Sequence, residues 1–526
     1  MPAPTDVRLA YHVHTSRSDG TGSVEEVAAA ARRAGLAGVV VTDHGDGTRR
    51  TDRPRYVDGV LMIDAVEIGT WGGHYTSIGA AASPYPLGGE PDAVVEDVRR
   101  LGGIGLAAHP GSSKEGLRWR DWDAPFDGIE WLNADSEWRD RPGDVWRSLV
   151  TYPWRPVETI TALLNRPSFE LAQWDRQAAR RPVIGLAAHD AHARVGLRGV
   201  GEPYDGVVAL RVPAYEAMFR AFSNVVRVAR PLSGEAARDA DEVMAAITAG
   251  RVYTVVTGMA PPGAVAFHAE SGGQRASMGG HLVPSGSVAF TFVADAPAGA
   301  RATLRCDGRV VATGAGGRVA WTTSGAWGAC RAEVVVGPDD TPVPWLVTNP
   351  IYIRTVLSTP IPRELSAPQL VLPIDGSGTA ARWAAELAPG ARGAASAVGD
   401  HPGRLSFAWR LGDSLGQYAA LRFDTPPSLA QFDRVILRGA ADRPMRVWLQ
   451  LRSPNDGGRR WGRSVYLDTA PREITVPFRD FLPLDGTGAG PVPVADVTAL
   501  LLVVDTVHAR PGAAGTVVFD ELWLAR

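Results

Sequence analysis

From Val7 to about Gly258, short apolar runs alternate with amphipathic stretches, which is a β–α rhythm. The runs Arg8–His14, Gly38–Thr42, Gly59–Glu67, Gly103–Ala108, Gly128–Leu132, Pro182–Ala188 and Gly206–Val212 are short and nearly continuous in apolar residues. Strands buried on both faces of a parallel sheet read this way. Helical spacing fills the gaps over Ser23–Ala34, Pro91–Leu101 and Pro156–Arg180, the first opening with Ser23 and Glu26 at capping-box spacing. Repeated β–α units over this length predict an α/β barrel or a doubly wound sheet.

Beyond Gly258 the pattern turns to alternation punctuated by Gly and Pro, as in Ser287–Ala294, Ala302–Ala312, Arg318–Thr323 and Arg331–Gly337. It predicts an Ig-like β-sandwich over 259–357, followed by a proline-bearing linker over 358–373. Residues 374–526 alternate again, as in Phe432–Arg438, Arg446–Leu451, Arg472–Pro477, Ala499–Val504 and Gly515–Leu524, and predict a second all-β domain.

Composition narrows the chemistry. The 526 residues carry a net charge of -3, so nothing pulls the molecule toward nucleic acid or anionic lipid. Lys114 is the single lysine and follows Ser113, which rules out a Gly-Lys-Ser/Thr phosphate loop. Two cysteines, Cys306 and Cys330, exclude thiolate metal clusters and a disulfide framework, and would pair if the protein is exported. No run is long and apolar enough for a membrane helix, and Met1–Leu9 lacks the pattern of a secretory leader. The expectation is a cytoplasmic protein as given, or an exported one if a leader has been removed.

Any metal must therefore be held by His, Asp and Glu. Seven of the eleven histidines lie within the first 192 residues, gathered at the ends of expected strands. His12 and His14 are two apart on a strand, followed by Asp19; His44 follows Gly38–Thr42; Glu67 closes the next run; His109, Asp190 and His192 follow Gly-Leu-Ala-Ala segments. In a β/α barrel all such strand ends open onto one face, so residues far apart in sequence converge. Imidazoles and carboxylates without thiolates suit Zn²⁺, Mn²⁺ or Fe²⁺, and eight ligand-type residues exceed the need of one ion.

These motifs, His12-Val13-His14-Thr15, Ser18-Asp19-Gly20, Thr42-Asp43-His44, Glu67, His109-Pro110 and Asp190-Ala191-His192, resemble the ordered motifs of the PHP (polymerase and histidinol phosphatase) domain. The resemblance covers about residues 6–258. It implies a distorted (β/α)₇ TIM-like barrel and a trinuclear centre that hydrolyses phosphoesters with a hydroxide held between ions. By position, His12, His14, Glu67 and Asp190 would hold one ion, Asp19, His44 and His192 another, and Glu67 with His109 a third. Glu130, Asn133, His74 and His189 are open alternatives for completing the third site; left incomplete, the centre would be binuclear. Arg17 and Arg194 flank the first and last motifs and would clamp a phosphate through forked hydrogen bonds. Asp43, His74 and His189 are the candidates for the leaving-group acid. Gly250-Arg251-Val252-Tyr253 and Thr348-Asn349-Pro350-Ile351-Tyr352 are similar to the multidomain branch that includes carbamate hydrolases.

Three readings follow. The leading one is a metal-dependent phosphoesterase acting on a small molecule. The second is a carbamate or carboxylic-ester hydrolase at the same centre, and the third a glycan- or partner-binding protein that uses the barrel as a scaffold. The C-terminal region, with Trp448, Trp461, Tyr466 and Phe519-Asp520-Glu521-Leu522-Trp523, resembles galactose-binding-like jelly rolls, which implies carbohydrate as a partner and a structural Ca²⁺ at Asp375 and Asp520. Gly412-Asp413-Ser414-Leu415-Gly416, with Asp505 and His508 downstream, matches a nucleophile elbow in pattern alone, because Ser414 sits between β segments.

Overall fold

The computed structural model describes residues 5–139, 150–193, 212–325, 327–337, 343–353, 367–373, 383–398, 404–425, 428–454, 458–484 and 490–526. Arg194, Asp375 and the expected strand Gly206–Val212, apart from its last residue, lie outside them. Strand dominates, and the chain divides into two compact units, Met1–Ala81 with Val95–Ile361, and Ala82–Val94 with Pro362–Arg526.

In the first unit the strands of the N-terminal half are β1 (Thr5–Val13), β2 (Gly38–Val41), β3 (Arg55–Val57), β4 (Val60–Asp64), β5 (Val66–Thr70), β6 (Gly73–Ile78), β7 (Ile104–Ala107), β8 (Gly128–Asn133), β9 (Ile184–Ala188), β10 (Ser223–Val228) and β11 (Val252–Val255). β1, β2 and β4 run parallel, with β10 antiparallel on the other side of β1. A second sheet is ordered β5-β6-β7-β8-β9, in which β7, β8 and β9 are parallel and β6 is antiparallel to both neighbours. The sheets touch at isolated parallel bridges, Val13 with Ala191 and His44 with Glu67. Pairing thus gives two sheets rather than the expected continuous ring of parallel strands. One cause is local: only Trp71 and Gly72 separate β5 from β6, enough for a hairpin and far too little for a parallel crossover.

Helix Val24–Arg33 forms as its sequence dictates. Ser23 Oγ accepts from the Glu26 backbone N–H at 3.2 Å, Glu26 Oε2 accepts from the Ser23 N–H at 3.0 Å, and Val24, Val27, Ala28, Ala30 and Ala31 are buried. The expected helix Pro156–Arg180 is two, Pro156–Leu163 and Ser168–Ala178. Pro167 separates them, because proline disfavours helix in the residue before it and donates no hydrogen bond. The expected boundary at residue 259 is crossed by a sheet, since Leu346–Thr348 pairs with β11. Ala302–Ala312 is likewise not one strand but the hairpin Ala300–Cys306 and Arg309–Ala315. Cys306 and Cys330 face each other on neighbouring strands and are joined as a disulfide.

The second unit holds two six-stranded sheets. Residues 82–94 are part of it: Glu90 Oε2 accepts from the backbone N–H of Ser464 at 2.7 Å and from its hydroxyl at 2.6 Å. Arg446 donates to the Ala93 carbonyl at 3.1 Å and to Ser464 at 3.2 Å, and Arg463 lies 3.4 Å from Asp92. Trp448, Trp461 and Tyr466 are all buried, so none offers a face for stacking on a sugar. Asp520 pairs with Arg404 at 2.9 Å, which supplies a cation without a metal ion. Ser414 lies in a loop leading into the antiparallel strand Tyr418–Asp424, not on a strand-to-helix turn, so there is no nucleophile elbow.

Candidate metal centre

The strand ends of the first unit carry the ligand-type residues into one place. A register shift between Tyr11 and Val13 turns His12 out of strand alternation, with φ at +61°, and brings it beside His14. Glu67 lies on β5, and His74 lies on β6 opposite Gly69. His109 follows β7, and Asp190 and His192 follow β9. His109 and Asp190 also have positive φ, +27° and +47°. Left-handed backbone at non-glycine residues costs on the order of 1–3 kcal/mol each and persists where surroundings impose it, commonly at functional sites.

In two of the three groups the distances are those of ligands around shared points, and in the third they are hydrogen bonds to Glu67. His12 Nε2 lies 3.1 Å from His14 Nε2, and both lie 3.3 Å from Glu67 Oε2 and 3.4–3.5 Å from Asp190 Oδ1. Ligand atoms ~2.0–2.1 Å from a tetrahedral ion stand roughly 3.3 Å apart. A second group gathers His44 Nε2 and His192 Nε2 at 3.5 and 3.2 Å from Asp19 Oδ2, with His14 Nδ1 3.3 Å from Asp19 Oδ1. On the remaining side, His109 Nε2 and His74 Nδ1 both approach Glu67 Oε1, at 2.7 and 2.8 Å, while His44 Nδ1 is 3.2 Å from Glu67 Oε2. Sets of three or four of these residues each offer atoms close enough to hold one ion.

Hydrogen bonding fixes which atoms face inward. Glu130 Oε1 accepts a hydrogen bond from His12 Nδ1–H at 2.6 Å, which leaves the His12 Nε2 lone pair turned toward the cluster. The other Glu130 oxygen accepts from the His109 backbone N–H at 2.7 Å and from Asn133 at 3.0 Å, and Asn133 also reaches Asp190 at 3.2 Å. Glu130 and Asn133 therefore stand behind the cluster. The two Nε2 atoms of His12 and His14 can sit 3.1 Å apart only if a proton or a cation lies between them. His109 Nδ1 is buried with no hydrogen-bond partner among the described residues.

Charge points the same way. Burial alone pushes the Glu67 carboxyl up, yet His12 and His74 hold it well below the usual range. Asp190 is held low against its burial chiefly by His12, and Asp19 by His192 and His44. Conversely, burial pushes His12 down, but Glu130, Asp190 and Glu67 together raise it well above its ordinary value. His192, despite burial, is lifted to about 9 by Asp19 and Asp190. Without cations the cluster takes up protons, so cation binding would release them. The donor set, neutral imidazole nitrogen and anionic oxygen with no thiolate, fits divalent first-row metals.

Several expected roles change. Asp43 accepts from the Thr15 N–H at 2.7 Å, the Thr15 hydroxyl at 2.6 Å and the Ser18 hydroxyl at 2.7 Å, so it pins the loop carrying Asp19 rather than holding a proton to donate. Arg17 is drawn to Asp52 at 2.5 Å and lies 3.6 Å from Asp64, away from a clamping role. His189 stacks on Phe222 and turns both ring nitrogens to the backbone carbonyls of Tyr11 and Phe222, away from the cluster; burial lowers it to about 4 against the pull of those carbonyls. Sequence reasoning missed Glu130 as the residue orienting His12; its signal was a carboxylate inside the otherwise uncharged run Gly128–Asn133.

No family model matches the chain. An uncharacterized protein of Methanocaldococcus jannaschii is 30% identical over 138 residues, covering 23% of this chain and 80% of the archaeal protein. The chain belongs to the same family as that archaeal protein. Among solved structures, it is similar to a two-domain protein from Bacteroides vulgatus containing a predicted PHP-like metal-dependent phosphoesterase, with 13% identity, a TM-score of 0.31, and coverage of 66% of this chain and 96% of that one. A family 11 carbohydrate-binding module from Clostridium thermocellum aligns at 16% identity with a TM-score of 0.25, over 29% of this chain and 94% of the module. Superpositions this loose transfer no function, and the chemistry rests on the side chains themselves.

Proposed function

We propose that the chain is a divalent-metal-dependent hydrolase of small-molecule phosphoesters, built on a distorted PHP-type barrel with a di- or trinuclear centre. The observation that supports this reading is the convergence of six imidazoles and three carboxylates from six separate strand ends, with the His12, His14, Glu67 and Asp190 atoms and the His44, His192 and Asp19 atoms at ligand spacing. A structural role would leave the buried His109 Nδ1 unpaired among the described residues, at about 1–3 kcal/mol, and would need a proton between the facing His12 and His14 nitrogens.

His12, His14, Glu67 and Asp190 would hold one ion and Asp19, His44 and His192 a second. Of the four open alternatives for the third position, His74 is the one that faces the cluster, joining His109 at Glu67 Oε1. Divalent ions bound there would ionise water near neutral pH and draw charge from a phosphoryl oxygen. The chain's own part is positional. Glu130 keeps the His12 proton on Nδ1, Asp43 holds the Thr15–Ser18 loop, and Asn133 ties Glu130 to Asp190, so that the inward-facing atoms keep their spacing.

The test is elemental analysis of protein purified without chelator, followed by assays with p-nitrophenyl phosphate, bis-p-nitrophenyl phosphate and an aryl carbamate in Mn²⁺. Two or three ions per chain, with phosphate release abolished by Asp190→Ala, is the expected result. Turnover of the carbamate alone would replace the phosphoester reading, and a chain that binds no metal would overturn both.

A further inference from the structure

Outside the metal centre, the first unit contains a cavity of about 660 Å³ between the helix Ser168–Ala178, the hairpin of Ala300–Cys306 and Arg309–Ala315, and the strand Ala329–Val336. Arginine makes up about a tenth of the chain but six of the thirteen residues lining this cavity: Arg166, Arg176, Arg180, Arg305, Arg309 and Arg331. That enrichment is beyond what an arginine-rich composition supplies.

The floor is a finished ionic lattice. Buried Arg331 grips Asp175 through two bonds of 2.6 and 2.8 Å and reaches Glu333 at 2.5 Å. Glu333 is also held by Arg166 at 2.7 Å and by Arg305 at 3.2 Å. Asp307 is spent on the backbone N–H groups of Gly328 and Ala329. Three of the guanidiniums, Arg331, Arg166 and Arg305, are thus matched by Asp175 and Glu333. Arg176 and Arg309, on facing walls, form no ion pair among the described residues; Arg176 bonds only the neutral Gln173 at 3.2 Å. Gly308 brings the hairpin turn against the helix, where an added Cβ would stand 3.3 Å from that of Asp175. The floor is therefore internally paired, while Arg176 and Arg309 on the walls carry positive charge with no ion pair among the described residues.

We propose that this cavity binds a small phosphorylated oligoanion, held by Arg176 and Arg309 through forked charge-assisted hydrogen bonds. Arg166 and Ser168 also line a neighbouring cavity of about 440 Å³ that reaches Pro110, the residue after His109. Binding of a ligand here does not depend on the proposed hydrolase activity.

Isothermal titration of the full-length chain with inorganic pyrophosphate tests this. The wild type is expected to bind, and more weakly in high salt. R176E/R309E, both exposed positions, should bind at least about tenfold more weakly with melting temperature and phosphoester turnover unchanged. Asp190→Ala, which damages the metal centre, should bind as the wild type does. Equal affinity in R176E/R309E, loss of binding in Asp190→Ala, or no binding by the wild type would each overturn the proposal. Should charge reversal unfold the chain, R176Q/R309Q carries the same expectation.

Discussion

Two buried polar clusters, one in each unit, put the same ingredient to different ends. At the strand ends, Glu67 is surrounded by imidazoles whose nitrogens also face one another. In the second unit, Glu90 Oε2 accepts from a serine hydroxyl and a backbone N–H, and two arginines lie near the carboxylate, so the groups around it do not lose their protons near neutral pH. Glu90 Oε2 is satisfied by protein alone, while Oε1 has Arg463 at 3.7 Å and no hydrogen bond among the described residues, and burial raises the carboxyl above its usual range. The Glu67 cluster is complete only with protons or cations added. What separates a structural network from a metal site is thus the kind of donor, not the number of buried charges.

The sharpest way to break this comparison is to neutralise each carboxylate. Glu67→Gln should remove metal from more than one position, since Glu67 contacts five imidazoles, and should reduce phosphoester turnover by about a thousandfold or more. Metal content per chain and initial rates in Mn²⁺ would check it. A variant that kept full metal content would show that Glu67 is a structural acceptor, like Glu90.

Glu90→Ala should do the reverse. It leaves the N–H and hydroxyl of buried Ser464 and the guanidiniums around them without their acceptor, at a cost of about 3 kcal/mol, with metal content untouched. Urea denaturation of wild type and variant measures the first, elemental analysis the second. Loss of metal in this variant would mean that the two clusters are not independent.

Glu130 sits between the two cases, being a buried carboxylate that bonds one imidazole from behind. Glu130→Gln keeps the shape but weakens its hold on the His12 Nδ1 proton, so metal affinity should fall about 10–100-fold while the fold survives. Competition with a coloured chelator would read this directly.

Much of the centre was legible in sequence, because ligand-type residues recur at the ends of apolar runs and a strand end has a defined place in a β–α fold. His12, His14, Asp19, His44, Glu67, His109, Asp190 and His192 all stand together as those runs suggest. Distinguishing candidate ligands from residues behind them was not possible, since Asp43 and Glu130 differ from Asp19 and Glu67 only in which donors tertiary contacts bring to them. The β5–β6 hairpin was missed because Gly59–Glu67 reads as one apolar run, whereas the chain breaks at Ala65. The membership of residues 82–94 in the second unit had no local signal at all. A Gly/Pro-rich stretch reads as a loop, and its partners Arg446, Arg463 and Ser464 lie more than 350 residues further along.

Glu333 offers a third kind of cluster, in which the cations are arginines that never deprotonate, and its pH response should show this. Burial pushes its carboxyl up, but Arg331, Arg166 and Arg305 pull it down to about 2 from an ordinary 4.5. In the unfolded chain the group takes a proton near 4.5, whereas in the folded chain it stays ionised to about 2. The unfolded state therefore binds more protons between those values, and the stabilisation is whole above pH 4.5 and drains away as pH falls toward 2. Glu333→Gln lacks that titration. The stability gap between wild type and E333Q should be constant from neutral pH down to about pH 5 and narrower by about 1 kcal/mol at about pH 3.5, read from urea midpoints. A gap that stayed constant would mean that the arginines do not set the charge of Glu333, and the distinction between arginine-balanced and imidazole-balanced carboxylates would lose its support.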